Sequence, residues 1–119
     1  MKVLIVESNR DLGYMWQRHL DRKGYDVSLV DGQDNAIEFL CETEVSIIIL
    51  DVMLNDGSAF AVSDFANYRY PNAKVIFVTN TTFFSDGSIF QHASNACGFL
   101  QAASPPDDLA AMVEHYGGA

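Results

Sequence analysis

The sequence predicts an α/β domain built on a five-stranded parallel sheet, doubly wound in a (βα)5 pattern with helices on both faces. Two patterns carry that prediction. Short apolar runs alternate with segments of helical spacing along all 119 residues, the arrangement of strand–helix–strand crossovers. The central run Ser46-Ile47-Ile48-Ile49-Leu50-Asp51 is apolar without alternation, as a strand covered on both faces has to be. A chain of this length closes one core, and a single domain over 1–119 with no output domain is expected.

Residues 2–6 form the first strand. Ser8-Asn9-Arg10-Asp11 supplies a capping-box pattern for a first helix, in which Leu12, Met15, Trp16, His19 and Leu20 recur at helical spacing until Gly24 ends it. Residues 25–30 are the second strand, and Asp31-Gly32 turns into a helix with Ala36, Ile37, Leu40 and Cys41 on one face. After the third strand, 46–51, the loop Asn55-Asp56-Gly57 leads to a helix over 58–69 that Pro71-Asn72 breaks. Residues 74–79 make the fourth strand, 85–95 a fourth helix weakened by Gly87, and 97–100 a short fifth strand. Ser104-Pro105-Pro106-Asp107 opens the last helix, its prolines standing where a helix start tolerates them, with Leu109, Met112, Val113 and Tyr116 facing inward.

Composition narrows the function. A hydrophobic content of 49% and an aromatic content of 12% are those of a globular domain, and no run approaches the roughly 18 apolar residues of a membrane span. No membrane partner and a cytoplasmic location are expected. A net charge of −9 argues against nucleic acid, which needs a basic stripe. The charge is unevenly spread: Lys2, Arg10, Arg18, Arg22 and Lys23 make the opening locally positive, while after Lys74 no Lys or Arg occurs and Asp86, Asp107, Asp108 and Glu114 remain. The last third therefore offers an acidic surface rich in aromatics, among them Phe83, Phe84, Phe90 and Phe99. Cys41 and Cys97 lie in no metal or redox motif and are expected to be buried small residues.

In open parallel sheets, ligands bind outside the carboxyl ends of the strands. That rule selects Glu7 and Ser8 after the first strand, Asp51 ending the third, Thr79 ending the fourth, and the residues after Leu100. An acid that closes a run of Ile-Ile-Ile-Leu has no evident structural purpose, because ionised groups lose hydration near a core. Thr79 is ordinary in a β-strand, Phe99 is a natural core residue, and Glu7 read alone is a solvated strand-end acid.

Four pieces in order, LIVES at the first strand end, IILDVMLNDGS around Asp51, VIFVTN ending in Thr79 and GFL in the fifth strand, give the whole chain its resemblance to a response-regulator receiver domain of two-component signalling, with a flavodoxin-like fold. The resemblance implies that Asp51 is the phosphoacceptor, Thr79 the hydroxyl that contacts the phosphoryl group and Phe99 the switch aromatic. It implies a Mg²⁺ site made by Glu7, Asp51 and the backbone carbonyl of Met53. Oxygen ligands of this kind suit Mg²⁺, and a carboxylate attacking a phosphoryl group needs positive charge to offset the repulsion between two anions.

Several positions depart from the family pattern, among them Asn55, which stands where proline is common. The second acid of the first strand end is replaced by Ser8, and the lysine that follows the fifth strand is replaced by Ala102, with Ala103 in place of the proline after it. Mg²⁺ binding is therefore expected to be weakened or absent, and the phosphoryl oxygens lose a cation; the paired losses leave the formal charge of the site balanced. Arg10, at the start of the first helix, is a candidate substitute cation.

The leading reading is a single-domain response regulator in a phosphorelay, accepting phosphoryl on Asp51 and signalling through protein contacts. The alternative is a pseudo-receiver, an interaction module independent of phosphorylation. An enzyme using Asp51 as a nucleophile is the remote third reading, and His19, His92 and His115 are scattered. By the same resemblance a histidine kinase or phosphotransfer protein meets the basic first helix. A downstream protein or second copy meets the acidic, aromatic face running from the helix at 85–95 to the last helix.

Overall fold

The computed structural model describes residues 1–55, 57–79, 96–101 and 104–117, and the side chains of Ala96 and Phe99 fall outside that description. The elements are β1 (Lys2–Val6), α1 (Arg10–Arg22), β2 (Asp26–Val30), α2 (Gln33–Glu42), β3 (Ile47–Asp51), α3 (Ala59–Arg69), β4 (Lys74–Thr79), β5 (Ala96–Gln101) and α4 (Pro106–Gly117). The helix expected over 85–95 lies outside the described residues, as do Phe83, Phe84, Phe90, Ala102 and Ala103.

All five strands are parallel, in the order β2-β1-β3-β4-β5. Strand alternation sorts their side chains into two cores. Val3, Ile5, Ile47, Ile49, Ile76 and Val78 pack with Trp16 and Leu20 of α1 and with Leu109 and Val113 of α4. Leu4, Val6, Ile48, Leu50, Val75 and Phe77 pack with Ala36 and Leu40 of α2 and with Ala59, Val62 and Ala66 of α3. Ile47 to Leu50 are fully buried, so the unalternating run is a central strand whose side chains each contribute about 1.5–3 kcal/mol of burial.

Helix boundaries follow local chemistry. The capping residue of α1 is Asn9, whose Oδ1 accepts from Leu12 N at 3.2 Å; Ser8, expected in the capping box, stands outside the helix because its hydroxyl is engaged elsewhere. Gly24, at φ +94°, closes α1 in the left-handed conformation that favours glycine. Ser58 caps α3 and Pro106 is the first residue of α4.

Two expected core positions are corrected. Met15 is 43% exposed, while Gly13 joins Trp16 and Leu20 on the buried side of α1. Cys41 is exposed near the end of α2, where Leu40 and the half-buried Phe39 take the inward positions. Cys97 is partly buried against the α1/α4 core. Among the described residues no helix is long and apolar enough to cross a membrane.

Candidate functional site

The carboxyl ends of β1, β3 and β4 meet at one mouth of the sheet. Glu7 extends β1, its N–H donating to the Val30 carbonyl at 3.0 Å. Alternation then decides where its side chain goes: Val3 and Ile5 point into the α1/α4 core, and Glu7 follows them, as Asp51 follows Ile47 and Ile49. The two carboxyl groups meet there in a side-chain hydrogen bond.

The pair is electrostatically unusual. Glu7 is only 2% exposed, and burial, followed by the hydrogen bond and the negative charge of Asp51, pushes its carboxyl up to about 9; a backbone hydrogen bond at Asn9 acts the other way. At neutral pH Glu7 therefore carries a proton and donates it to Asp51. Glu7 Oε2 is buried with no hydrogen-bond partner among the described residues. Asp51 is half-buried, and its Oδ1 accepts from Met53 N at 2.8 Å, which fixes the first turn of the β3–α3 loop against the acid. The Met53 residue itself is 63% exposed at the rim.

Thr79 ends β4 fully buried, one residue beyond Val78, the register partner of Asp51, and pairs with Gln101 of β5. The backbone of Phe99 pairs with Phe77; its side chain, and hence its part in any switch, lies outside the described residues. So Glu7, Asp51 and Met53 are joined by hydrogen bonds, and Thr79 ends the adjacent strand.

Ser8 behaves differently from its neighbour. Following Val6, it points toward the α2/α3 side, where its Oγ donates to the Asp31 carbonyl at 2.9 Å and accepts from the Asn55 amide at 2.9 Å. Its proton and one lone pair are thus taken by backbone groups of two loops. A second tie joins the same regions: Gln33 Oε1 accepts from Ser58 N at 2.6 Å. The sequence marks Asp31 and Asn55 only as turn and loop residues and does not mark Gln33, and little in it points to these ties, because two of the three groups involved are backbone atoms.

Arg10 is exposed and lines a groove of about 540 Å³ with Glu7, Tyr14, Asp31 and Glu38. It forms no ion pair among the described residues, where the only pairs are Lys2 with Asp26 at 3.4 Å and His19 with Asp107 at 3.0 Å.

The donor set of two carboxylates and a loop carbonyl consists of hard oxygens, which fit a small divalent cation. The buried, unpaired Glu7 Oε2 gives the same indication, since it is left as a neutral acid where a cation would let it ionise. Among the described residues no group of three or more His, Cys, Asp or Glu side chains stands at ligating distance, consistent with a second acid replaced by serine.

Comparison with known proteins agrees with this fold. The model of the response regulator receiver domain family matches residues 3–114. The transcriptional regulatory protein GltR of Pseudomonas aeruginosa is 33% identical over 60 residues, a stretch that covers 50% of this chain and 25% of that protein. The signal receiver domain of a protein described as a Luxo repressor, from Vibrio parahaemolyticus, superposes with a TM-score of 0.86 at 26% identity, covering 98% of this chain and 89% of that one. A response regulator from Burkholderia pseudomallei, solved with a phosphorylated aspartic acid, a calcium ion and citrate, has a TM-score of 0.81 at 17% identity over 96% of this chain and 71% of its own. Because the family model spans nearly the whole fold, including the strands whose ends bring Glu7 and Asp51 together, this chain belongs to the response regulator receiver domain family of two-component signalling.

Proposed function

We propose that the protein is a phosphoacceptor response regulator of the cytoplasm that receives a phosphoryl group on Asp51 and signals through protein contacts. The observation that carries this reading is the Glu7–Asp51 pair: two carboxyl groups from adjacent strands, one of them buried and protonated beside the other. Two acids brought together at a buried strand end lose hydration and repel when ionised, and they offer the hard oxygens that hold the divalent cation used in phosphoryl transfer.

In the proposed step an Asp51 carboxylate oxygen attacks the phosphorus of a phosphohistidine on a histidine kinase or phosphotransfer protein. A P–O bond forms, the P–N bond breaks, and the imidazole leaves with the bonding electrons, giving an acyl phosphate. Glu7, Asp51 and the Met53 carbonyl would hold Mg²⁺, which supplies positive charge to offset that of the phosphoryl oxygens. Release of the Glu7 proton makes that acid a ligand. Thr79 offers a hydroxyl to a phosphoryl oxygen. The basic α1 is the proposed docking side for the phosphodonor, and the acidic face that includes α4 the side for a downstream protein or second copy.

The pseudo-receiver reading draws on one observation, the lack of a third acid in the described site. Incubation with Mg²⁺ and acetyl phosphate, read by intact mass, separates the two. Gain of one phosphoryl group in the parent and none in Asp51→Asn is the expected result; a parent that gains nothing, and does not respond to beryllofluoride, is a pseudo-receiver.

A further inference from the structure

The β3–α3 loop is fastened at Met53, Asn55 and Ser58. Asp51 Oδ1 accepts from Met53 N at its start, Ser8 Oγ accepts from Asn55 N at its middle, and Gln33 Oε1 accepts from Ser58 N at its end. The middle fastening is the one that reaches across the mouth. Ser8 lies at the end of β1, and its hydroxyl proton goes on to the Asp31 carbonyl in the β2–α2 loop, so one oxygen atom ties together the ends of three successive strands.

We propose that Ser8 is a positioning residue: with no cation bound, its hydroxyl already holds the β3–α3 loop in the arrangement that the Met53 carbonyl needs in order to serve the Glu7–Asp51 pair. This rests on the phosphoacceptor reading above. Residue chemistry singles out serine for the task. A carboxylate at position 8 could accept from Asn55 N but has no proton at neutral pH for the Asp31 carbonyl, and it would add a further negative charge at the mouth that already holds Asp51. Alanine could do neither. A side chain with one donor and one acceptor on the same short arm does both, and it does so on the α2/α3 side of the sheet, away from the acids.

The consequence is an exchange of charge for order. A cation entering this site meets one carboxylate fewer than the family pattern provides, but the loop it binds is already fixed, so less conformational freedom is lost on binding. Ser8 therefore counters part of the loss in Mg²⁺ affinity that its own presence implies. A purely structural tie would leave that affinity alone.

The test uses the full chain as parent, Ser8→Ala, Ser8→Cys and Ser8→Thr, with two readouts: amide hydrogen exchange at Asn55 in metal-free protein, and Mg²⁺ affinity by calorimetry. Threonine keeps the hydroxyl and is expected to match the parent in both. Alanine is expected to speed Asn55 exchange at least about tenfold and to weaken Mg²⁺ binding roughly fivefold to tenfold, with cysteine, a weak donor and acceptor, between them. The Cys and Thr variants carry the test if the Ala variant does not fold. Faster exchange with parental Mg²⁺ affinity makes Ser8 a structural tie only and overturns the proposal, as does unchanged exchange. A parent that takes up no Mg²⁺ overturns this proposal, and phosphorylation by acetyl phosphate then decides the phosphoacceptor reading separately; a parent that binds while Ser8→Ala binds equally well removes only this one.

Discussion

Glu7 and Ser8 are neighbours in the chain and belong to opposite sides of the sheet, and the two sides end in different ways. On the α1/α4 side the strands deliver two carboxyl groups, one buried, held together by a proton and leaving Glu7 Oε2 without a partner among the described residues. On the α2/α3 side the same strand end delivers a hydroxyl whose bonds are made, beside a loop laced to α2 through Gln33. The first side leaves a buried carboxyl oxygen without a hydrogen-bond partner among the described residues; the hydroxyl on the second has both of its bonds made. A period-two strand thus lets adjacent residues do opposite work, one storing an unmet demand for charge and the other supplying a rigid frame around it.

The largest expected effects are on the acid side. The Glu7 carboxyl rises from the ordinary value of 4.5 to about 9 in the folded protein, so its contribution to stability is fully present below about pH 4.5 and is lost as pH rises through about 9. Over that window the unfolded chain gives up a proton that the native state retains. Metal-free protein should accordingly lose stability from pH 5 to pH 9, visible as a fall in Tm of roughly 5 °C or more. On the proposed reading Mg²⁺ would compete with the same proton, so any rise in Tm on adding Mg²⁺ should grow across the same range. Glu7→Gln should flatten the metal-free profile and lower Mg²⁺ affinity at least about tenfold. A parent whose Mg²⁺ response is independent of pH would mean that Glu7 is not a ligand.

This contrast also marks how far the sequence could be read. Ile47 to Leu50 announce a central strand because nothing but burial on both faces explains four apolar residues in a row. The convergence of Glu7 and Asp51 follows from strand ends in a parallel sheet, with no need to know any contact. Helix faces are harder to read: spacing marks apolar positions without saying which of them a neighbouring element will cover, so Met15 and Cys41 have inward spacing yet are exposed. The ties of Ser8 were beyond reach, because the Asp31 carbonyl and the Asn55 amide are backbone atoms that every residue carries. Sequence suggested that Ser8 weakens the site, and only the fold reveals what the hydroxyl does instead.

On the framed side the effects at the Gly57–Gln33 contact should be smaller and confined to stability. Gly57 sits at φ +89°, and a Cβ there would collide with the Cβ and Oε1 of Gln33. Gly57→Ala should cost about 2 kcal/mol from the left-handed backbone and the displaced Gln33 together. Gln33→Ala removes the amide end of the obstacle, though not its Cβ, and also the acceptor for Ser58 N, so each single variant is destabilised and the pair should be less so than their sum. Denaturant unfolding of the four proteins measures the coupling, and strict additivity would show that Gln33 is not what Gly57 accommodates.

The smallest effect is expected at Arg10, where the two sides meet at the rim. It is the basic residue in the groove that Glu7 lines, which makes it the natural candidate for the cation missing at Ala102. Its surroundings argue against that role. It is exposed, it makes no ion pair among the described residues, and its groove neighbours Asp31 and Glu38 are themselves acids that would compete for it. A solvated arginine in that position adds to the local positive field of α1 without gripping a phosphoryl oxygen, and exposed charges of this kind change rates little. Arg10→Ala should therefore phosphorylate from acetyl phosphate within about twofold of the parent at physiological salt, where surface charges are largely screened. A tenfold or greater loss would place Arg10 among the groups that hold the phosphoryl oxygens, and the acid side of the mouth would then carry its own compensating charge.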